Sequence, residues 1–402
     1  MKLKKKISSL IICCTLILGS FNFSFADSTR IVTLGANLTS EQKDKMLNYF
    51  GVKKDETMIL DVTNAEERKY LEGVANDSQL GKVTISCSYV EPTSQGSGIN
   101  VKTANLTWVT SSMIATTLST AGLQDANVIV AAPFPVSGTG GLTGVMKAFE
   151  SSTGKKLDEE KKELATEELV VTGDLGDEVG QEKATGVIND IKAEIIKNGT
   201  HDTAQIAETI NNITNNYNIN LSPEELQKIQ DMMLKISKQD YDYNSMKRTL
   251  SNVSDNVNAD LKALGEDVKG TGLFDSVKGW FGNLFNGGSK NLGILEKTND
   301  SLLGNNAKID ATDDKAIKLP DSQEVEGFFE KVWNWVSGLF GGNSENKTET
   351  PKQNNNQNTD SNNAKDVQEN NTENNSGDNS SIDIQEETNE HFDTNSENSN
   401  NQ

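Results

Sequence analysis

The sequence predicts an α+β protein: a mixed sheet with packed helices in the N-terminal half, an all-helical half after it, then short amphipathic helices and a disordered tail. Three observations lead there. Between Arg30 and Glu150 short β-branched runs alternate with capped helical patterns. From Lys155 to about Gly270 strand signals vanish and helical periodicity takes over. Beyond Asn343 large apolar residues almost disappear.

The first 26 residues read as a cleaved secretory signal peptide: Lys2, Lys4, Lys5 and Lys6, an apolar run from Ile7, then Ser24-Phe25-Ala26 at the cleavage position. Gly19, Ser20, Asn22 and Ser24 interrupt the run before it reaches the roughly 20 residues of a membrane span. Cys13 and Cys14 leave with this segment, and Ile12 is not the small residue expected before a lipid-modified cysteine. The mature chain then carries 34 basic against 59 acidic residues, a net charge of −25. So acidic a chain repels nucleic acid and anionic membrane surfaces at long range, and no nucleic-acid partner is expected. Cys87 is left alone, so no internal disulfide can form, and its place in the alternating run "KVTISCSYV" gives it the role of a small strand residue.

The sheet half, 27–154, has the order βαβαββαβα. "RIVTLG" is a strand, and "LTSEQKDKMLNYFG" a helix with Thr39 as cap, Gln42 three residues on and Gly51 as stop. "TMILDV" and "TNAEERKYLEG" repeat the arrangement with Thr63, Glu66 and Gly73. "KVTISCSYVEP" and "GINVKTANLTWV", joined by "TSQGSG", predict a hairpin. A helix over "TSSMIATTLSTAG", a buried strand over "ANVIVAAPF" and a helix from "GLTGVMKAFESS" follow.

In the helical half, 155–270, Ile188, Ile191, Ile195 and Ile196 form one apolar face, and Ile206, Ile210 and Ile213 the next. Ser222, Pro223 and Glu225 mark a helix start whose core face is Leu226, Ile229, Met233 and Ile236. The two halves are expected to form one globular unit. The span 271–342 is read as a linker carrying two aromatic amphipathic helices, 273–286 and 327–341. The tail, 343–402, is Asn-rich and acidic, with 18 Asn in 60 residues, and cannot bury enough apolar surface to order itself. It ends without a sorting motif, apolar helix or basic cluster, so no covalent attachment to the wall is expected.

The run most like a site is "VIVAAPFPVSGTGGLTGVMKAFE", a strand passing through a glycine-rich turn into a helix. Backbone amides of Ser137, Gly138, Thr139, Gly140 and Gly141 at that helix start are candidates to hold an anion or ligand. The spacing fits neither a nucleotide phosphate loop, since Lys147 lies too far on, nor the dinucleotide fingerprint, and the bland reading is that the glycines permit a tight turn. The two histidines, His201 and His391, are too few for a His-rich metal site, and His201 reads as a loop or cap residue. Acidic pairs such as "DEE" at 158–160 follow from the abundance of carboxylates, and Trp108 is the one tryptophan in the folded part to line a sugar groove. No catalytic residue, metal or cofactor is assigned.

With Ala132 to Phe134, Ser137 to Thr139 and Leu142 to Gly144, together with "INLSPEELQKIQDMMLKI", the region from about Arg30 to Asp260 resembles the exported bacterial proteins called domain of unknown function 1002. The resemblance implies location and carries over no catalytic residue.

"FDSVKGWFGNLFNGG", from Phe274, returns as "FEKVWNWVSGLFGG", from Phe329, at an offset of 55 residues. On helices, Phe274, Phe281 and Phe285 share one side with Val277 and Leu284, and Phe329 and Phe340 with Val332, Val336 and Leu339; Trp280 matches Trp335, and Trp333 joins the second phrase. Each is too short to span a bilayer and marginal alone, so its apolar face needs a surface. Lipid, a partner protein, and the chain's own core or other copy are open to it. The acidic flanks, Asp275, Glu324, Glu326 and Glu330, favour an envelope protein or the chain itself over weak contact with a membrane interface. The expected role is that of a secreted or cell-envelope-associated protein acting by binding; the alternative is an extracellular hydrolase of wall or matrix polymer with its site near Ser137–Gly141.

Overall fold

The computed structural model describes residues 30–317, apart from 77, 78, 80, 267, 269–291, 305, 314 and 315. The expected order of the sheet half is present: β1 (Ile31–Gly35), α1 (Ser40–Phe50), β2 (Met58–Val62), α2 (Asn64–Leu71), β3 (Cys87–Pro92), β4 (Ile99–Leu106), α3 (Ser111–Thr120), β5 (Ala126–Val136) and α4 (Gly140–Thr153). Local chemistry sets these bounds. Thr39 with Gln42 and Thr63 with Glu66 close reciprocal capping boxes, and Gly51, at φ 68°, ends α1 in the left-handed conformation.

The strands form one mixed sheet in the order β2-β1-β3-β5-β4-β6, where β6 is Ile309–Ala311. β1 and β2 run parallel, as do β4 and β5, and the other neighbours are antiparallel. The predicted hairpin between β3 and β4 does not form: β5 lies between them, pairing Cys87 with Ala131 through Pro92 with Ala126 on one side and following β4 on the other. The paired stretch of β5, Ala126–Ala131, is apolar at every position but Asn127 and therefore suits the middle of a sheet covered on both faces.

Alternation divides the strands cleanly. Ile31, Val90, Ile99, Val101, Val128 and Val130 point to the face covered by α3 and α4. Val32, Leu34, Cys87, Tyr89, Ala104, Ile129 and Ala131 point to the other, covered by Met46, Leu47, Tyr49 and Phe50 of α1.

The rest of that second cover is unexpected. Within the span read as a linker, residues 292–317 form two 3₁₀ turns, Gly293–Lys297 and Asp300–Leu303, and strand β6, and they bury Leu292, Ile294, Leu295, Leu303, Ala311 and Ala316 in the second core. This strap is fastened by polar bonds as well. Lys102, fully buried on β4, donates to Thr298 Oγ1 at 2.7 Å, Asp300 Oδ2 at 2.9 Å and the Ala316 carbonyl at 3.0 Å. Thr312 exchanges bonds with Val101, and Asn105 N–H reaches the Lys308 carbonyl at 2.8 Å.

The helical half comprises α5 (Glu159–Val179), α6 (Gln181–Asn198), α7 (Thr203–Asn216), α8 (Pro223–Ser237) and α9 (Tyr243–Ala263). The predicted faces are buried at Ile188, Ile191, Ile195, Ile206, Ile210, Ile213, Ile229, Met233 and Ile236, while Ile196 and Leu226 are half-buried. All ten residues of α3 are buried between sheet and helices. Its threonines meet a fully buried ion pair: Lys192 donates to Glu168 Oε1 at 2.7 Å and to the hydroxyls of Thr116 and Thr120, each at 2.8 Å. Beside it Asp190 accepts from Ser254 at 2.5 Å and Tyr217 at 2.7 Å, and burial pushes its carboxyl up to about 6.

Candidate functional site

The loop Ser137–Gly141 joins β5 to α4, and only Ser137 in it is exposed. Thr139 stands at the helix start without capping it. Its hydroxyl instead donates to Glu67 Oε1 at 3.0 Å, while Thr84 donates to Oε2 at 2.9 Å. Gly140 lies against the same carboxyl, since a Cβ there would come within 2.9 Å of Glu67 Oε2. Burial raises the pKa of Glu67, against the lowering effect of its hydrogen bonds. An internal acid thus packs where an incoming anion would approach. Gly138, at φ 101° and close to Leu106, makes the turn that only glycine adopts readily.

A second place gathers more chemistry. A cleft of about 290 Å³ opens between α2, α4 and the first turn of α5. Helical spacing puts Glu66, Lys69 and Tyr70 on one face of α2, and Thr143, Met146, Lys147 and Glu150 on one face of α4; Lys156 and Lys162 complete the lining. Four ammonium groups therefore surround one hollow on a chain of net charge −21.

Carboxylates thread between them. Lys147 donates to Glu66 Oε1 at 2.5 Å and the Asp61 carbonyl at 2.7 Å. Glu150 accepts from Lys156 at 3.1 Å, Lys162 at 3.2 Å and the Leu157 N–H at 2.9 Å. Glu159, the first residue of α5, is shared by Lys162, Lys69 at 2.7 Å and the Tyr70 hydroxyl at 3.2 Å. The Tyr70 ring also faces Lys69 and Lys162, 4.7 and 5.5 Å from its centroid.

These bonds hold the groups in their charged forms. Glu66 and Glu150 stay below the usual carboxylate range, the pull of burial being outweighed by their bonds, and the contacts with Lys162 and Lys69 bring Glu159 down to about 2. Burial opposes the charge on Lys162, whose side chain is 6% exposed, yet its bonds to Glu159, Tyr70 and Glu150 raise its pKa. The arrangement can attract and fix an anion; groups held this far from neutrality are poor donors or acceptors of a proton at pH 7.

The other singled-out residues lie elsewhere. Cys87 is fully buried, and burial pushes its thiol up to about 12, the state of a packing residue. His201 is exposed in the loop after α6. Trp108 packs on Gly173 and donates its indole N–H to Asp177 at 3.0 Å, away from the cleft lining. Phe274, Trp280, Phe281, Phe285, Phe329, Trp333, Trp335 and Phe340, and with them both aromatic phrases, lie outside the described residues, as do the segment read as a signal peptide and the Asn-rich tail. Among the described residues no group of three or more His, Cys, Asp or Glu is arranged to hold a metal ion, and no helix is long and apolar enough to cross a membrane.

Sequence reasoning missed the cleft because charged residues on helices usually mark solvated faces. A signal was available in the basic pairs Lys155-Lys156 and Lys161-Lys162, which flank the start of α5.

Comparison with known proteins adds ancestry. The model of a family described as "Protein of unknown function (DUF1002)" matches residues 34–253. The "Uncharacterized protein YpuA" of Bacillus subtilis (strain 168) is 35% identical over 257 residues, which cover 64% of this chain and 87% of that protein. No solved structure matches the chain.

Proposed function

The chain belongs to the DUF1002 family, and from that premise we propose that it is an exported, cell-envelope-associated protein that acts by binding, with the cleft between α2 and α4 receiving an anionic group. The observation that carries this is the set of four lysines around one hollow of a strongly acidic chain. A field of that local sign attracts anions that the rest of the surface repels. The charged state of Glu66, Glu150, Glu159 and Lys162 supports binding over catalysis, because a general acid or base works best with a pKa near the working pH. Export rests on the basic, apolar and small-residue pattern of the first 26 residues, and the aromatic phrases at Trp280 and Trp335 provide a second means of docking to an envelope protein.

The test is calorimetric titration of the mature protein, at low ionic strength, with a phosphodiester polymer and with an acidic polypeptide. Binding of at least one is expected, weakened by added salt and by at least tenfold in a Lys147→Ala, Lys156→Ala variant, with the polymer recovered intact. Cleavage of the polymer, or binding of neither, overturns the reading.

A further inference from the structure

Two carboxylates hold Lys162, and they differ in how firmly they are themselves held. Glu150 has a side chain 12% exposed and is fixed by Lys156, Lys162 and a backbone N–H of the turn before α5. Glu159 has a side chain 57% exposed, and the cap of α5 is supplied by Asp158, which accepts from the Lys161 N–H at 3.1 Å. Moving the Glu159 carboxylate into water therefore leaves both the helix start and the Lys162–Glu150 bond in place. What it uncovers is a set of three donors, the Lys69 and Lys162 ammoniums and the Tyr70 hydroxyl, that converge on one anion.

On the reading that the cleft binds anions, we infer that Glu159 occupies the ligand's anion position, and that a phosphate group displaces it to bind Lys69, Lys162 and the Tyr70 hydroxyl. Two ammoniums and a hydroxyl arriving from separate residues suit the three free oxygens of a phosphate better than the two of a carboxylate. Lysine serves phosphate as a mobile point charge where arginine would grip a planar carboxylate. The same contacts with Lys162 and Lys69 that bring the Glu159 carboxyl down to about 2 favour an anion at this position. Glu150 remains as the permanent partner of Lys162, so the buried ammonium is never left alone during the exchange.

Removing the Glu159 carboxylate should strengthen the site beyond the general gain in positive charge. Inorganic phosphate is titrated at low ionic strength into wild-type protein, Glu159→Gln and Glu41→Gln, the last an exposed acid on α1 outside the cleft lining. Glu159→Gln is expected to bind phosphate at least fivefold more tightly than wild type, Glu41→Gln to match wild type, and adding Lys69→Met to Glu159→Gln to abolish the gain. Parallel titrations with glycerol 3-phosphate and dimethyl phosphate show whether a terminal or a bridging phosphate is preferred, and tightening for either supports the exchange. Equal or weaker binding by Glu159→Gln overturns it. If Lys147→Ala, Lys156→Ala still weakens polymer binding in that case, the cleft reading stands and the exchange alone falls.

Discussion

The two faces of the sheet are covered by different kinds of chain. On one, α3 lies beside the strands it connects and α4 packs on β3 and β1, and the helical half closes over them from residues that follow immediately. On the other, α1 covers part of the surface, and the rest waits for a strap that returns about 200 residues later to seat six apolar side chains and to bond Lys102. A fully buried lysine lies beneath each cover, but Lys192 is paired with an equally buried glutamate, whereas the partner of Lys102, Asp300, retains 14% exposure. The difference teaches that the first face is a core in the ordinary sense, and the second is an intramolecular interface made by a distant segment.

Deleting 292–317 should have the largest effect. Burial of Leu292, Ile294, Leu295 and Leu303 at about 1.5–3 kcal/mol each, with Ala311 and Ala316 adding less, is comparable to the whole stability of a typical domain. Thermal unfolding of a chain ending at Gly265 should show loss of a cooperative transition, or a Tm lower by more than about 10 °C, whereas a chain ending at Gly342 should melt within about 2 °C of the full protein. An unchanged Tm for the shorter chain would mean that the strap adds nothing to the fold. A smaller contrast separates the buried lysines. Lys192→Met strands Glu168 without water and should cost about 3–5 kcal/mol, and Lys102→Met, leaving an acid that water can reach, about 1–3 kcal/mol. The reverse ranking in urea titrations would refute the distinction between core and interface.

The subtlest test is the pH dependence of the helical core. Asp190 has a folded pKa of about 6, above its ordinary 3.8, so its contribution to stability is complete below about pH 3.8 and lost as pH rises through 6. Across that window wild type should lose roughly 3 kcal/mol relative to Asp190→Asn, read as the difference between paired urea profiles. Parallel profiles would show that the carboxyl is not buried as described.

What was legible in the sequence was what local chemistry decides. Thr39, Thr63 and Ser222 with their partners three residues on gave the helix starts correctly, and apolar periodicity gave the faces of α6, α7 and α8. What was not legible depends on distant chain. "TSQGSG" looks like a hairpin turn whether or not a third strand intervenes, and β5 intervenes because its own apolar run needs cover on both sides. A three-residue strand, "IDA", after two 3₁₀ turns has no period to detect, so β6 read as linker. The cleft failed for a related reason: its lysines come from three helices and a loop, and no single window of sequence contains the hollow they share.

The strap also sets a clock. A ribosome adding about 5–20 residues per second needs roughly 10 to 40 s to travel from Lys102 to Ala316. Through that interval β4 has neither its β6 neighbour nor the acceptors for its lysine, and the second core cannot close. The last buried charge to find its partners is one that was made a quarter of the way along the chain.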